Sequence, residues 1–389
     1  MSRLLLLLMI AGFGFFISCN QHSPAIGEGF KTSDPLATAE TKALYENLKA
    51  LAAEKVLFGH QDALAYGVGR RDNKSGFCDV FDVTGSYPAV YGWDIGHIAF
   101  DTNVDSIPFN NMIRFIKEGY SRGGIITISW HEMHGKENSP VWSDDPSPRR
   151  MVPGGDMHYE FRDRLKKVAA FFNELKDEFG KPIPVIFRPF HEHNGDWFWW
   201  GKQNATEEEY IGLWRYTFHY LRDTMNIHQL LYSTSPDRSR MQTADDRREF
   251  LYAYPGDDYV DFIGLDNYWD VGGSSMHIKE RTRKEEDSLF VTSLRTIVKI
   301  AEEKGKIAAL TETGNNMLTQ ADWFSERILK PLKNDAEARK IAYFLVWRNA
   351  WPSHFFAPFP GHPASQDFID LKNEEMIIFE DELPSMYKN

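Results

Sequence analysis

The sequence predicts an α/β fold of the closed (β/α)8 type, a TIM barrel forming a single catalytic domain. Eight short, apolar, β-rich runs alternate with segments of helical periodicity. No break in composition divides them, and no internal repeat is visible. Acids, histidines and tryptophans gather where the runs end, the side that a barrel turns toward one mouth. The competing architecture, a doubly wound open sheet, would place a glycine fingerprint after the first strand, and none is present.

Thr41–Lys55 is the first helix, with Leu44, Leu48 and Leu51 recurring at helical spacing. Val56–His60 is the first strand, and Ala89–Asp94, introduced by Pro88, the second. Asn110–Arg122 reads as a helix and leads through Gly123-Gly124 into the third strand, Ile125–Glu132. Residues 133–158 form a long polar loop before the helix Tyr159–Phe179. The fourth strand runs from Ile183 to Phe190 and is followed by His191-Glu192-His193-Asn194-Gly195-Asp196-Trp197-Phe198-Trp199-Trp200. Glu207–Met225 is helical, with Tyr210, Leu213, Trp214 and Phe218 on one side. Leu230–Thr234 and Val260–Asp266 are the fifth and sixth strands. The helix Lys284–Lys304 precedes the seventh strand, Ile307–Glu312, and Ala342–Trp347 is the eighth. Glu374–Leu383 is expected to close the chain as a last helical turn or two.

At 389 residues and 42% hydrophobic, the chain has ample material for one large core. Its formal charge of -12 argues against nucleic acid as a partner and suits a neutral substrate. Met1–Cys19 reads as a targeting segment: Arg3 supplies the positive end, and Leu4–Ile17 is too short to span a bilayer. Phe16-Ile17-Ser18-Cys19 resembles the lipobox of bacterial lipoproteins, which makes residues 1–18 the signal peptide and Cys19 the acylated residue. Loss of Arg3 with that segment takes the formal charge from -12 to -13. Cys78 is then the one thiol left of two, so no disulfide framework can form. Residues 19–38 read as a polar tether, and 39–389 as the catalytic domain. The expected location is outer-membrane lipid-anchored, on the periplasmic face or the cell surface, as a monomer or weak homo-oligomer.

Hydrolysis of a glycosidic bond needs a proton donor for the leaving oxygen and a second carboxylate to attack carbon or activate water. Glu192 and Glu312 end strands four and seven and should face one mouth, although spacing does not say which of them attacks. Arg188 shares the face of Glu192 by the two-residue period of a strand. Inside a barrel it needs a carboxylate partner, and Glu312 is the candidate. Asp266, Tyr268, Trp347 and Arg348 are placed to orient that carboxylate and floor a sugar site, with Trp197 as a stacking platform. His131 with His134, or His191 with His193, could chelate zinc in principle. Neither pair makes a helical His-Glu-x-x-His motif, and histidines bonding sugar hydroxyls account for the same residues. No Gly-x-Ser-x-Gly elbow occurs. No cofactor and no metal are expected.

Phe187-Arg188-Pro189-Phe190-His191-Glu192, Asn194-Gly195-Asp196-Trp197-Phe198-Trp199-Trp200, Ser129-Trp130-His131, Asp266-Asn267-Tyr268 and Thr311-Glu312-Thr313-Gly314 together resemble glycoside hydrolase family 26. The resemblance runs over nearly the whole chain after the tether. It implies a retaining β-mannanase with Glu192 as acid/base and Glu312 as nucleophile. It also implies that His131, His191, Trp197, Tyr268, Trp347 and Arg348 line the reacting sugar. The two carboxyl groups should then lie only about 5–5.5 Å apart. The expected substrate is mannan, galactomannan or manno-oligosaccharide, with loops 133–158 and 349–367 walling the cleft. Endo action and mannobiose release both stay open. β-1,3-Xylan and mixed-linkage β-glucan are the alternative substrates, and a catalytically silent glycan-binding lipoprotein is the alternative of another class.

Overall fold

The computed structural model describes residues 31–70, 76–133, 141–142, 148–272 and 281–388. Eight parallel strands close on themselves: β1 Val56–Gln61, β2 Val90–Asp94, β3 Ile125–Trp130, β4 Val185–Pro189, β5 Leu230–Thr234, β6 Phe262–Asp266, β7 Ile307–Thr313 and β8 Tyr343–Val346. β1 pairs with β2 through Gly59↔Val90 and with β8 through Leu57↔Tyr343, which completes the ring. Every residue of these strands is buried. Parallel strands covered on both faces have no solvent side, so their sequences read as unbroken apolar runs rather than alternating ones.

Alternate residues nonetheless separate into two layers. Leu57, Val90, Ile186, Phe262 and Leu345 turn inward and share one cluster with Leu44, Tyr45 and Leu48 of the helix Ala39–Leu51. That helix stoppers the ring at the N-terminal ends of the strands. Phe58, Trp93, Ile128, Phe187 and Phe344 turn outward against the surrounding helices. The plugged end leaves the C-terminal ends of the strands as the mouth.

Two expected elements take another form. Glu374–Leu383 holds no α-helix; Ile377–Ile378 is a short strand, β9, paired with Val56 and Leu57 of β1, and Glu380–Glu382 is a 3-10 turn. The reason is an open edge. β2 meets β1 only from Gly59 upward, and β9 supplies the partner below it, with the Val56 N–H donating to the Met376 carbonyl at 2.8 Å. The helix expected over Tyr159–Phe179 spans His158–Glu174 instead. Beyond it the Asp177 carboxylate draws the backbone N–H groups of Phe179 and Lys181 into a tight loop, at 2.9 and 2.8 Å.

The end of the polar stretch 19–38 is docked on the barrel. Asp261, just before β6, accepts the Ser33 N–H and hydroxyl at 2.6 and 2.7 Å, and Asp34 holds the His228 ring at 2.7 Å. The barrel therefore takes in residues 32–38, which the sequence reading assigned to the tether. Residues 1–30, including the leader and Cys19, lie outside the described residues, as does His134.

Candidate active site

The mouth is built from strand ends whose backbones leave the regular path. β4 stops at Pro189, and Phe190 and Glu192 both take left-handed φ values of 49° and 53°. Such a turn is unfavourable for non-glycine residues and persists only where neighbours hold it. Here the Trp200 indole donates to the His191 carbonyl and the Tyr210 hydroxyl to the Phe190 carbonyl, at 2.8 and 2.9 Å. The Glu192 N–H donates to the Ser235 carbonyl at 2.7 Å. Trp199 and Trp200 are wholly buried, so these two indoles clamp the turn from the core side and present no sugar platform.

β7 carries a bulge. Leu265 pairs with Leu310 but Asp266 pairs with Glu312, and the same irregularity recurs against β8. One extra residue in β7 lets Thr311 and Glu312 both reach the interior, where strict alternation would turn Glu312 toward the helices. Thr311 donates its hydroxyl to Asp266 Oδ1 at 2.6 Å.

The two glutamates meet across the mouth. Carboxylate oxygens of Glu192, Asp266 and Glu312 lie within 4.8 Å of one another. Three acids so close could hold a cation, and the Arg188 guanidinium supplies a positive charge to this group. Its Nη1 donates to Asp266 Oδ2 at 2.8 Å and to the Ser235 hydroxyl at 2.9 Å, and its Nη2 donates to Glu312 Oε1. The partner expected for Arg188 is thus present, with Asp266 as a second one. The Tyr268 hydroxyl donates to the other Glu312 oxygen at 3.1 Å. Burial, followed by the Glu312 charge, holds that phenol well above its usual range, so it remains a donor.

Glu192 is in the opposite situation. Burial pushes its carboxyl well up, and the nearby charges of Asp237, Asp266 and Glu312 push the same way. The Trp197 indole N–H, donating to Glu192 Oε2 at 2.7 Å, works against the rise. Trp197 is half-buried, and the Arg240 guanidinium lies 4.8 Å from its ring centre. Its contact with the acid is a hydrogen bond, which adds to the stacking role expected of it.

His131 and His191 stand edge to face, with ring centres 4.4 Å apart, and are tuned in opposite directions. Burial would lower His131, but the Asp94 carboxylate, 2.7 Å from Nδ1, raises it overall. His191 is driven well down by burial and then by His131 and Arg188, which leaves a neutral ring. His193 turns away from this pair; its Nε2 meets the Tyr252 carbonyl at 2.8 Å, so the chelating pair His191–His193 is not formed. Trp347 lies 6.4 Å from His131, ring centre to ring centre. Arg348 points further along the cleft, to Asp105 at 3.0 Å and to the Tyr66 hydroxyl at 3.2 Å. Trp347, Arg348, His131 and Trp142 border a cleft of about 800 Å³, spacious enough for sugar rings.

Asp94, Asp237, Ser235 and Asp105 belong to this site; the sequence marked Asp94 only as the acid that ends the second strand, and the other three were not singled out. Asp94 closes β2 beside Trp93, so its place at a strand end was a visible signal. The Ser235-Pro236-Asp237 segment follows β5 directly, but nothing in its residue types separates it from an ordinary loop.

A family model described as glycosyl hydrolase family 26 matches residues 33–350. The solved structure of a family 26 β-mannanase from Bacteroides ovatus is 34% identical, covers 90% of this chain and 98% of its own, and superposes with a TM-score of 0.82. That of a modular endo-β-1,4-mannanase from Cellulomonas fimi is 30% identical over 92% of this chain and 80% of its own, at a TM-score of 0.83. The mannan endo-1,4-β-mannosidase of Bifidobacterium adolescentis is 33% identical over 307 residues, 76% of this chain but 29% of that protein. With the barrel, the bulged seventh strand and the facing glutamates, these matches lead to one conclusion: the chain belongs to glycosyl hydrolase family 26.

Proposed function

We propose that the chain is a retaining β-mannanase that cleaves β-1,4-mannosidic bonds in mannan, galactomannan or manno-oligosaccharides. One observation carries the mechanism. Carboxylate oxygens of Glu192 and Glu312 approach within 4.8 Å, which leaves no room for a water between the second carboxylate, Glu312, and the anomeric carbon. Retaining enzymes separate these groups by about 5–5.5 Å, and inverting ones by about 6.5–9.5 Å. In this reading Glu312 attacks the anomeric carbon while Glu192, kept protonated by burial, gives its proton to the departing oxygen. The bond to the leaving sugar breaks as the glycosyl–Glu312 ester forms. Glu192, now a carboxylate, takes a proton from water, whose oxygen displaces Glu312 and restores both groups.

Arg188 and Tyr268 orient Glu312, each bonding a different oxygen. His131, protonated against Asp94, serves as a donor to a sugar oxygen, and neutral His191 beside it serves a hydroxyl. The test is the first-formed anomer of a manno-oligosaccharide digest, followed by proton NMR. The β-anomer is expected to appear first and mutarotate afterwards; the α-anomer appearing first would remove the double displacement.

A pH effect follows from Trp197. Its N–H stabilises the charged form of Glu192, so Trp197→Phe raises that carboxyl further and keeps the acid protonated to higher pH. The basic limb of the kcat/KM profile is expected to move up by roughly one pH unit, the equivalent of about 1.4 kcal/mol. A limb left in place would mean that another group sets it.

The leader supports a second part of the reading, export and acylation at Cys19 as an outer-membrane lipoprotein. Cells fed radiolabelled palmitate should label the parent chain and leave Cys19→Ala unlabelled.

A further inference from the structure

Arg348 follows β8 by two residues and borders the cleft beside Trp347 and His131. A long side chain at a cleft wall binds sugar best when its direction is fixed beforehand, since ordering it on binding costs affinity. Behind Arg348 the hydrogen bonds close into a ring. Its Nη1 donates to the Tyr66 hydroxyl at 3.2 Å, and that hydroxyl donates to Asp62 Oδ2. Its Nη2 donates to Asp105 Oδ1 at 3.0 Å. The last link joins the Asp62 and Asp105 carboxyls to each other. Asp62, Tyr66 and Asp105 are all buried.

Two ionised carboxylates have no proton to share and repel, so this contact requires one of them in the acid form. The donors decide which. Asp105 turns an oxygen to a guanidinium, the partner that a charged carboxylate holds best. Asp62 receives the neutral Tyr66 phenol, and its Oδ1 is buried with no N–H donor in reach. Asp62 is therefore the acid, and its O–H donates to Asp105. Burial pushes Asp62 well up, and the Asp105 charge adds to the rise against the pull of Arg348. The backbone holds both carboxyls in place. Asp62, just past β1, takes a left-handed φ of 56°, and its N–H donates to the Gly92 carbonyl of β2 at 2.8 Å. The Asp105 N–H donates to Asn103 Oδ1 at 3.0 Å, and the Asn103 amide donates to the Asp94 carbonyl at 2.9 Å. Asp94 is the carboxylate that holds His131, so the ring is tied to the wall of the reacting site.

We infer that Asp62 and Asp105 share one proton and, with Tyr66, act as positioning residues that fix Arg348 at the cleft wall. Affinity for a manno-oligosaccharide long enough to reach Arg348 then falls as that proton leaves. The substrate rests on the β-mannanase reading; the shared proton does not. With the proton gone, two charged carboxyls face each other, their link breaks, and Arg348 loses its single direction. The other groups facing the ring act differently. Burial, then the charges of Asp62 and Asp105, push the Tyr66 phenol well up, so it stays a donor. Burial would raise Asp94, but His131 lowers it overall, so it stays charged. His60 and His354, pushed down to about 4 by burial, stay neutral. His131 alone also loses a proton as pH rises, since Asp94 outweighs burial and raises it.

The test measures KM and kcat for mannopentaose from neutral to alkaline pH in the parent, Asp62→Asn and Tyr66→Phe, with melting temperatures as the check on folding. Asparagine tolerates a left-handed φ as aspartate does, and its amide donates to Asp105 without a proton to lose. KM of the parent is expected to rise about tenfold as the proton leaves, the contribution of one hydrogen bond to a charged group. Asp62→Asn should keep only the step that belongs to His131. Tyr66→Phe opens the ring and should show the raised KM already at neutral pH, with kcat little changed. Difference infrared spectra of the parent against Asp62→Asn at neutral pH read the proton directly, as a carboxylic-acid carbonyl band present in the parent alone. The inference fails if that band is missing, if Asp62→Asn keeps the whole parental rise in KM, or if Tyr66→Phe binds as the parent does. It fails also if the losses fall on kcat instead of KM. A chain inactive on mannan has lost the functional reading, and the infrared band then decides the shared proton by itself.

Discussion

Glu312→Ala is expected to lower mannan turnover by on the order of 10⁴-fold or more, and Glu192→Ala by about 10²–10⁴-fold. The two losses should differ in kind. Without Glu312 no carboxylate attacks the anomeric carbon, so neither a good nor a poor leaving group helps. Without Glu192 the first step still runs on an aryl mannoside whose leaving group needs no proton. The glycosyl–Glu312 ester then accumulates, because no base activates water. Azide, which needs no base, separates the variants by product. In Glu192→Ala it attacks the ester and gives the β-mannosyl azide; in Glu312→Ala it attacks the substrate from the opposite side and gives the α-azide. Parental rates in both variants, or the reverse pairing of azides, would reject the assignment.

Arg188→Met is the substitution expected to cost the most stability. The guanidinium is 3% exposed and is shared by Asp266, Glu312 and Ser235. Removing one partner of a buried ion pair leaves the other charges uncompensated and typically costs about 3–5 kcal/mol. Chemical unfolding of the parent and of Arg188→Met measures the loss. Adding Asp266→Asn to the variant should recover part of it, since one of the stranded charges is then gone. A loss under about 1 kcal/mol would show that water or a rearranged side chain takes the place of Arg188. Activity falls in the same variant for a separate reason: Glu312 loses the donor that fixes one of its oxygens.

Both predictions use residues that could be found in the chain before any coordinates, and their success or failure depends on contacts that could not. Eight largely apolar runs were legible because strands buried on both faces carry few polar residues before their C-terminal ends. Glu192 and Glu312 were legible because a carboxylate that ends such a run is out of place unless it works at a mouth. Arg188 was legible because an arginine inside a barrel needs a carboxylate partner, whereas β4 ends at Pro189 and the two-residue period does not carry through to Glu192. The terminal segment was misread as helical because Ile377-Ile378 pairs with an edge of β1 more than 300 residues earlier, which no local periodicity reports. The tether was drawn too long for a related reason, since the Ser33–Asp261 bonds span 228 positions.

What the amino-acid sequence determined by itself is the ring of strands and which acids stand at its rim. What only the tertiary structure decided is where those acids point. By alternation along β7 Glu312 belongs with the outward residues, and an added residue in the pairing against β6 and β8 turns it in. Glu192 reaches the same spot through two left-handed residues that Trp200, Tyr210 and Ser235 hold in place. Backbone angles of that kind are unfavourable alone and are set by partners far away in the chain. A reading of residue types and spacings can therefore name the acids, but only the packed fold brings their oxygens within 4.8 Å of each other.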